Sequence, residues 1–220
     1  MTTKAIVFDL WNTLAYNKGV KSNPILKLEQ LLGLKLNLYR EIEEGFMARR
    51  FRTKKEAMTS LCRHIGMKPK PVLVDTLVYV WENSTMDMTL FPDVIPHLER
   101  LKGSYRIGLL SNTDCFTIKN LKENGFTGMF DSVAFSCELG LLKPDPKIFR
   151  LMLHELKVNP NEAVMVGDNL KDDVLAAENV GMRGILMKRD FSKYKTKPSH
   201  TETATHERMI TDIEELEKFL

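Results

Sequence analysis

Short strand-like segments with apolar centres recur through the second half of this 220-residue chain, at 106–110, 132–136, 163–166 and 184–187, with a helical pattern between each and the next. That alternation is the strongest constraint on the fold. A parallel neighbour can be reached only by a connection long enough to recross the sheet, so strands alternating with helices at this spacing build a parallel sheet. Ala5-Ile6-Val7-Phe8 has the same character near the N-terminus: four apolar residues without alternation, as in a strand covered on both faces. Helices are expected at 93–102, 116–123, 146–156 and 173–179, the first, second and fourth stopped by Gly103, Asn124-Gly125 and Gly181. A short strand at Met209-Ile210 and a helix from Asp212 to Leu220 complete the pattern, after a polar surface loop over 189–207.

Between the first strand and this series the period changes to 3.6 residues for about seventy positions. Four helices are expected there: one opened by Asn23-Pro24 with Ile25, Leu28, Leu31 and Leu32 on one face; one capped by Asn37 running to Phe51; one capped by Thr53 with Glu56 in capping-box register; and one over 72–82. The reading is therefore an α/β protein with a Rossmann-like parallel sheet core, residues 1–15 and 88–220, and an inserted helical-bundle domain, residues 16–87.

Composition narrows the function classes. A net charge of +3 is too small to argue for nucleic acid, and no stretch approaches the 18 apolar residues of a membrane span. The short N-terminal run ends on an acid and lacks the features of a secretory signal, so a cytoplasmic location is expected. Cys62, Cys115 and Cys137 fit neither a disulfide framework nor a zinc spacing and are expected as reduced thiols.

Three of the apolar runs end on small or acidic polar residues: Asp9, Ser111 and Asp168. Strand ends of this kind converge at the carboxyl edge of a parallel sheet, where α/β folds bind ligands. Lys143, in a loop just ahead of the helix opened by Pro146, can reach the same edge. In order and spacing the segments Asp9-Leu10-Trp11-Asn12-Thr13, Leu109-Leu110-Ser111-Asn112, Lys143-Pro144-Asp145-Pro146 and Val166-Gly167-Asp168-Asn169 resemble the four motifs of the haloacid dehalogenase-like hydrolase superfamily. The helical stretch falls where that superfamily carries a cap, between the first and second motifs.

The resemblance implies covalent catalysis, with Asp9 as nucleophile and Mg²⁺ held by Asp9, Asp168 and the backbone carbonyl of Trp11. Lys143 would stabilise Asp9 and the transferred group, Ser111 and Asn112 would bind that group, and Asp173, with Asp172 as the alternative, would orient Lys143 or a metal-bound water. An ionised carboxylate needs no deprotonation to attack, but it needs a cation nearby to meet an anionic phosphoryl group. The expected substrate is a small phosphorylated molecule, with no nucleic acid or membrane partner, and the protein a monomer or homodimer.

One position departs from the pattern. Phosphatases of the superfamily carry a second aspartate two residues after the nucleophile, to protonate the leaving oxygen; here that residue is Trp11, whose indole has no proton to give near neutral pH. The 2-haloacid dehalogenases of the superfamily do carry an aromatic residue there, and an arginine early in the cap resembled by Arg40 in Leu38-Tyr39-Arg40. Against them stand Asp168, which a metal-free dehalogenase does not need, and Phe149, where they have tyrosine. A Mg²⁺-dependent phosphatase is the leading expectation, with a dehalogenase-type hydrolase or a weakly catalytic binding protein as alternatives. If a phosphatase lacks its acid at position 11, a cap carboxylate is the next source of the proton.

Overall fold

The structure, a computed structural model, describes residues 2–18, 24–33, 39–85, 88–194 and 205–220. Its centre is a six-stranded, all-parallel sheet in the order β5-β4-β1-β6-β7-β8, built from β1 (Ala5–Phe8), β4 (Arg106–Ser111), β5 (Ser132–Phe135), β6 (Ala163–Gly167), β7 (Arg183–Met187) and β8 (Met209–Ile210). Successive residues of β1 face opposite sides, and both sides are closed. Ile6 and Phe8 join one hydrophobic cluster with Ile107, Leu109 and Val164, while Ala5 and Val7 join another with Phe149, Met152 and Met165. That double burial is why the strand reads as an unbroken apolar run.

The chain passes from β1 to β4 and β5 on one side and then crosses to β6, β7 and β8 on the other, so the order reverses at the central strand. Phe8 pairs with Leu109 and with Val166, which brings Asp9, Ser111 and Asp168 to adjacent strand ends at one edge.

A two-stranded antiparallel ribbon, β2 (Ala15–Asn17) with β3 (Met88–Leu90), carries the chain out of this core and back into it. The helices between them are α1 (Pro24–Leu32), α2 (Tyr39–Ile42), α3 (Lys54–His64) and α4 (Pro71–Thr85). They enclose a core of their own in which Leu28, Ile42, Phe46, Met58 and Leu77 are buried and Phe46 meets Trp81 edge to face at 4.6 Å. Thr53 caps α3 by accepting from Glu56 N, while the Glu56 carboxylate accepts from Arg52 N one residue outside the expected box. The expected helix to Phe51 is shorter: α2 passes at Glu43 into a π-helical segment that ends at Met47. Asn37 and Leu38 lie outside the described residues.

In the second half α5 (Val94–Lys102), α6 (Cys115–Glu123), α7 (Ser136–Leu139), α8 (Pro146–Leu156) and α9 (Ala176–Glu178) follow. Two expectations change here. The segment after β6 begins as a π-helix over Leu170–Leu175, and the C-terminal segment is a run of 3₁₀ turns over Glu214–Phe219. All three cysteines are free thiols.

Arg189 ties the ribbon to the core. Its guanidinium donates twice to the carbonyl of Thr13, at 3.0 and 2.9 Å, and once to Asp93 at 2.7 Å, and it lies 4.3 Å above the Phe91 ring. Asp93, just ahead of α5, makes no side-chain capping bond to that helix and accepts from Arg189 and from Ile213 N. No helix among the described residues is long and apolar enough to cross a membrane.

Candidate active site

Asp9 follows directly on β1, and its backbone N–H still donates to Val166, so the sheet itself fixes where the carboxylate begins. The chain then turns back, with Asn12 in the left-handed region at φ 58, a conformation Asn tolerates better than most residues. There the Asn12 amide donates to Asp168 at 2.9 Å, linking the loops after β1 and β6.

Lys143 is the cation at the centre of the site. It is 3% exposed, and its ammonium donates to Asp9 at 2.6 Å and to Asp173 at 2.5 Å. Asp173 is held from its other oxygen by the Asn169 N–H, at 3.1 Å. Asn169 caps the π-helix, accepting from Asp172 N and donating to the Asp172 carboxylate, so Asp172 lies to one side and Asp173 faces the lysine. The tight turn requires Gly167: a Cβ there would lie 2.3 Å from the Asp173 carboxyl carbon.

Burial dominates the electrostatics. It lifts the Asp9 carboxyl from 3.8 to about 6, with Lys143 opposing and Asp173 adding to the rise. Asp168 is pushed well above its ordinary value by burial, then by Asp9 and Asp173, against the Asn12 hydrogen bond and Lys143. The Lys143 ammonium is held more firmly than usual: burial would release its proton, but Asp173 and Asp9 outweigh it. Oxygens of Asp9, Asp168 and Asp173 lie within 4.8 Å of one another. Three carboxylates thus cluster about one buried ammonium that is bonded to two of them, a set of hard oxygen donors with too little positive charge, which fits a divalent cation such as Mg²⁺.

Trp11 lines the same pocket but spends its indole N–H on the Thr113 hydroxyl, at 3.2 Å. Asn112 accepts from Lys143 N at 2.8 Å, and its amide donates to the Lys143 carbonyl and to Glu43, each at 3.1 Å. Ser111, at the end of β4, is fully buried, and its hydroxyl has no hydrogen-bond partner among the described residues. Arg40 stands at the edge: its guanidinium donates to the Lys143 carbonyl at 2.5 Å and to Glu44 at 2.8 Å.

The residue that sequence reasoning did not single out is Glu43. It is 2% exposed, lines the pocket together with Asp9, and burial lifts its carboxyl to about 8. One signal was available: Glu43 falls within the apolar set Ile42, Phe46 and Met47, where a solvated acid is out of place.

A family model described as haloacid dehalogenase-like hydrolase matches residues 3–181. The chain belongs to that family. Among its relatives, this hydrolase is 35% identical over 134 residues to the glyceraldehyde 3-phosphate phosphatase of Methanopyrus kandleri, covering 59% of this chain and 57% of that protein. It is 31% identical over 166 residues to the enzyme of that name from Methanothermobacter thermautotrophicus, covering 73% and 72%. A solved HAD phosphatase from Thermococcus onnurineus superposes with a TM-score of 0.61 at 25% identity, over 98% of this hydrolase and 97% of that chain. The hydrolase therefore spans between about half and three quarters of the length of these curated relatives.

Proposed function

We propose that the protein is a Mg²⁺-dependent phosphohydrolase that acts on a small phosphorylated molecule through an aspartyl-phosphate intermediate on Asp9. The observation that carries this reading is the shared site itself, in which Asp9 and Asp173 hold one buried ammonium and Asp168 lies within reach of both. A dehalogenase working without metal has no use for a third acid there, and the phosphatase relatives support the same choice.

Asp9 is ionised above pH of about 6 and attacks phosphorus with the carboxylate oxygen not committed to Lys143. Lys143 stabilises charge on the transferred group, and Asp173, bonded to Lys143 and to Asn169 N, positions that ammonium. Ser111 brings a buried hydroxyl with unspent hydrogen-bonding capacity to the phosphoryl oxygens, beside Asn112. Asp9, Asp168 and the Trp11 carbonyl would hold Mg²⁺, whose charge screens the nucleophile from its anionic target. Arg40 is engaged by the Lys143 carbonyl and Glu44, which weighs against a halide-binding role.

Residues 16–87 act in this reading as the cap. The catalytic pocket encloses only about 30 Å³, room for one or two waters. Substrate entry therefore requires the helices to lift from the sheet edge, parting Arg40 from the Lys143 carbonyl and Glu43 from Asn112.

The test is a panel of phosphate esters, acyl phosphates and 2-haloacids assayed with Mg²⁺ and with chelator. Phosphate release that requires Mg²⁺ is expected, and Asp168→Asn should weaken activity and metal dependence together. Chelator-insensitive hydrolysis of 2-haloacids without phosphatase activity would overturn the assignment.

A further inference from the structure

Hydrolysis of an alkyl phosphate needs a proton at the departing oxygen, and the residue two positions after Asp9 cannot give one. Trp11 is an indole with its N–H bound to Thr113. The carboxylates contributed by the sheet edge are occupied: Asp9 and Asp173 by Lys143, Asp168 by Asn12, Asp172 by Asn169. Glu43 is different in origin and in state. It descends on the pocket from the helical insert, almost wholly buried, with Oε1 accepting from Asn112 and Oε2 without a hydrogen-bond partner among the described residues. A buried carboxyl with one oxygen lacking a hydrogen bond, 3.7 Å from Arg40 and facing the chamber that holds the nucleophile, has capacity left for a group entering that chamber.

We propose that Glu43 is a catalytic residue, the acid and then the base of the phosphohydrolase reaction, in the role that Trp11 leaves vacant. The proposal rests on the function assigned above. In the first half, Asp9 forms a bond to phosphorus, the bond from phosphorus to the ester oxygen breaks with its electron pair passing to that oxygen, and the Glu43 proton moves onto it to give a neutral alcohol. In the second half, water attacks the aspartyl phosphate, its proton passes to the Glu43 carboxylate, and the electron pair of the breaking bond returns to Asp9. Phosphate leaves, and both side chains regain their starting states.

The surroundings suit both halves. Burial holds the Glu43 proton at neutral pH, with Asp172 reinforcing it and the Asn112 hydrogen bond, Arg40 and Lys143 opposing. Once the proton has gone, Arg40 Nη1, 3.7 Å from Oε2, and the Asn112 amide receive the new charge. The donor belongs to the helical insert, so on the opening proposed above it would meet the substrate only in the closed arrangement.

The experiment compares wild type, Glu43→Gln and Glu43→Asp, each as the full chain with Mg²⁺, in single turnovers on p-nitrophenyl phosphate and on glycerol 1-phosphate, reading the release of nitrophenol or of glycerol, which reports the first half of the reaction alone. Nitrophenolate leaves as a stable anion; the glycerol alkoxide does not. Glu43→Gln retains the acceptor for Asn112, and its folding is checked by thermal melting. We expect it to slow the alkyl ester about 10²–10⁴-fold while changing the aryl ester by less than about threefold, with Glu43→Asp between the two. Equal loss on both esters, or no loss on the alkyl ester, overturns the role of Glu43 and leaves the phosphohydrolase assignment standing. A wild type that hydrolyses neither ester removes that assignment, and this one with it.

Discussion

Replacing Lys143 by Met keeps the reach and apolar stem of the side chain and removes the ammonium that lies 2.6 Å from Asp9 and 2.5 Å from Asp173. None of the three side chains is more than 7% exposed, so solvent cannot replace what is lost. Breaking one side of a buried pair in this way costs about 3–5 kcal/mol, a large part of the roughly 5–15 kcal/mol that holds a domain together. Proton uptake should limit the damage. Burial has already moved Asp9 from 3.8 to about 6 with the lysine in place, a difference worth about 3 kcal/mol. The folded form binds that proton more tightly than the unfolded form, so this group's contribution makes stability fall as pH rises from about 4 to about 6. Without Lys143, the largest influence opposing that rise, the window extends to higher pH. The variant should therefore lose about 3–5 kcal/mol near pH 8 and about 1–2 kcal/mol near pH 5, and Mg²⁺ should recover part of the loss at the higher pH. Urea unfolding followed by circular dichroism, with chelator and with Mg²⁺, measures all of this. Equal destabilisation at the two pH values would mean that no carboxylate of the pocket takes up a proton when the lysine leaves. The electrostatic account of the site would then be wrong.

Gly167→Ala should displace Asp173, because the new methyl would stand 2.3 Å from its carboxyl carbon; we expect a stability loss of about 1–3 kcal/mol, read by urea unfolding, and turnover reduced at least about tenfold. Trp11→Phe removes the bond to Thr113 and keeps an aromatic wall, so a loss of about 0.5–1.5 kcal/mol with nearly unchanged turnover is expected. A collapse of turnover in Trp11→Phe would make the indole N–H part of the chemistry.

The parts of this molecule that were legible in its sequence are those fixed by local pattern. Ala5–Phe8 declares a central strand because both of its faces are covered, and Asp9, Ser111 and Asp168 declare a common edge because each terminates such a strand. Lys143 is placed by the helix that Pro146 opens. The ribbon of β2 and β3 was not legible: three residues a side, joined across some seventy positions, carry no periodicity of their own. Nor were the π-helical segments at Glu43–Met47 and Leu170–Leu175, since a change in backbone hydrogen bonding leaves the apolar spacing of so short a stretch almost unaltered. Of the two acids at 172 and 173 the resemblance puts Asp173 first with Asp172 as the alternative; the cap made by Asn169 is what separates them in the structure. Glu43 escaped for a related reason, because one glutamate in an amphipathic helix is ordinary until its neighbours are seen to bury it.

Arg189 lies beyond residue 181, where the family match ends, yet it grips the carbonyl of Thr13 and the Asp93 carboxylate on either side of the ribbon through which the helices are attached. The hold on that ribbon is thus encoded away from every residue assigned to the reaction. Under the proposed opening of the helical insert, variation in this C-terminal stretch would alter how readily the enzyme opens without disturbing its chemistry, so that tempo and reactivity would be open to selection separately.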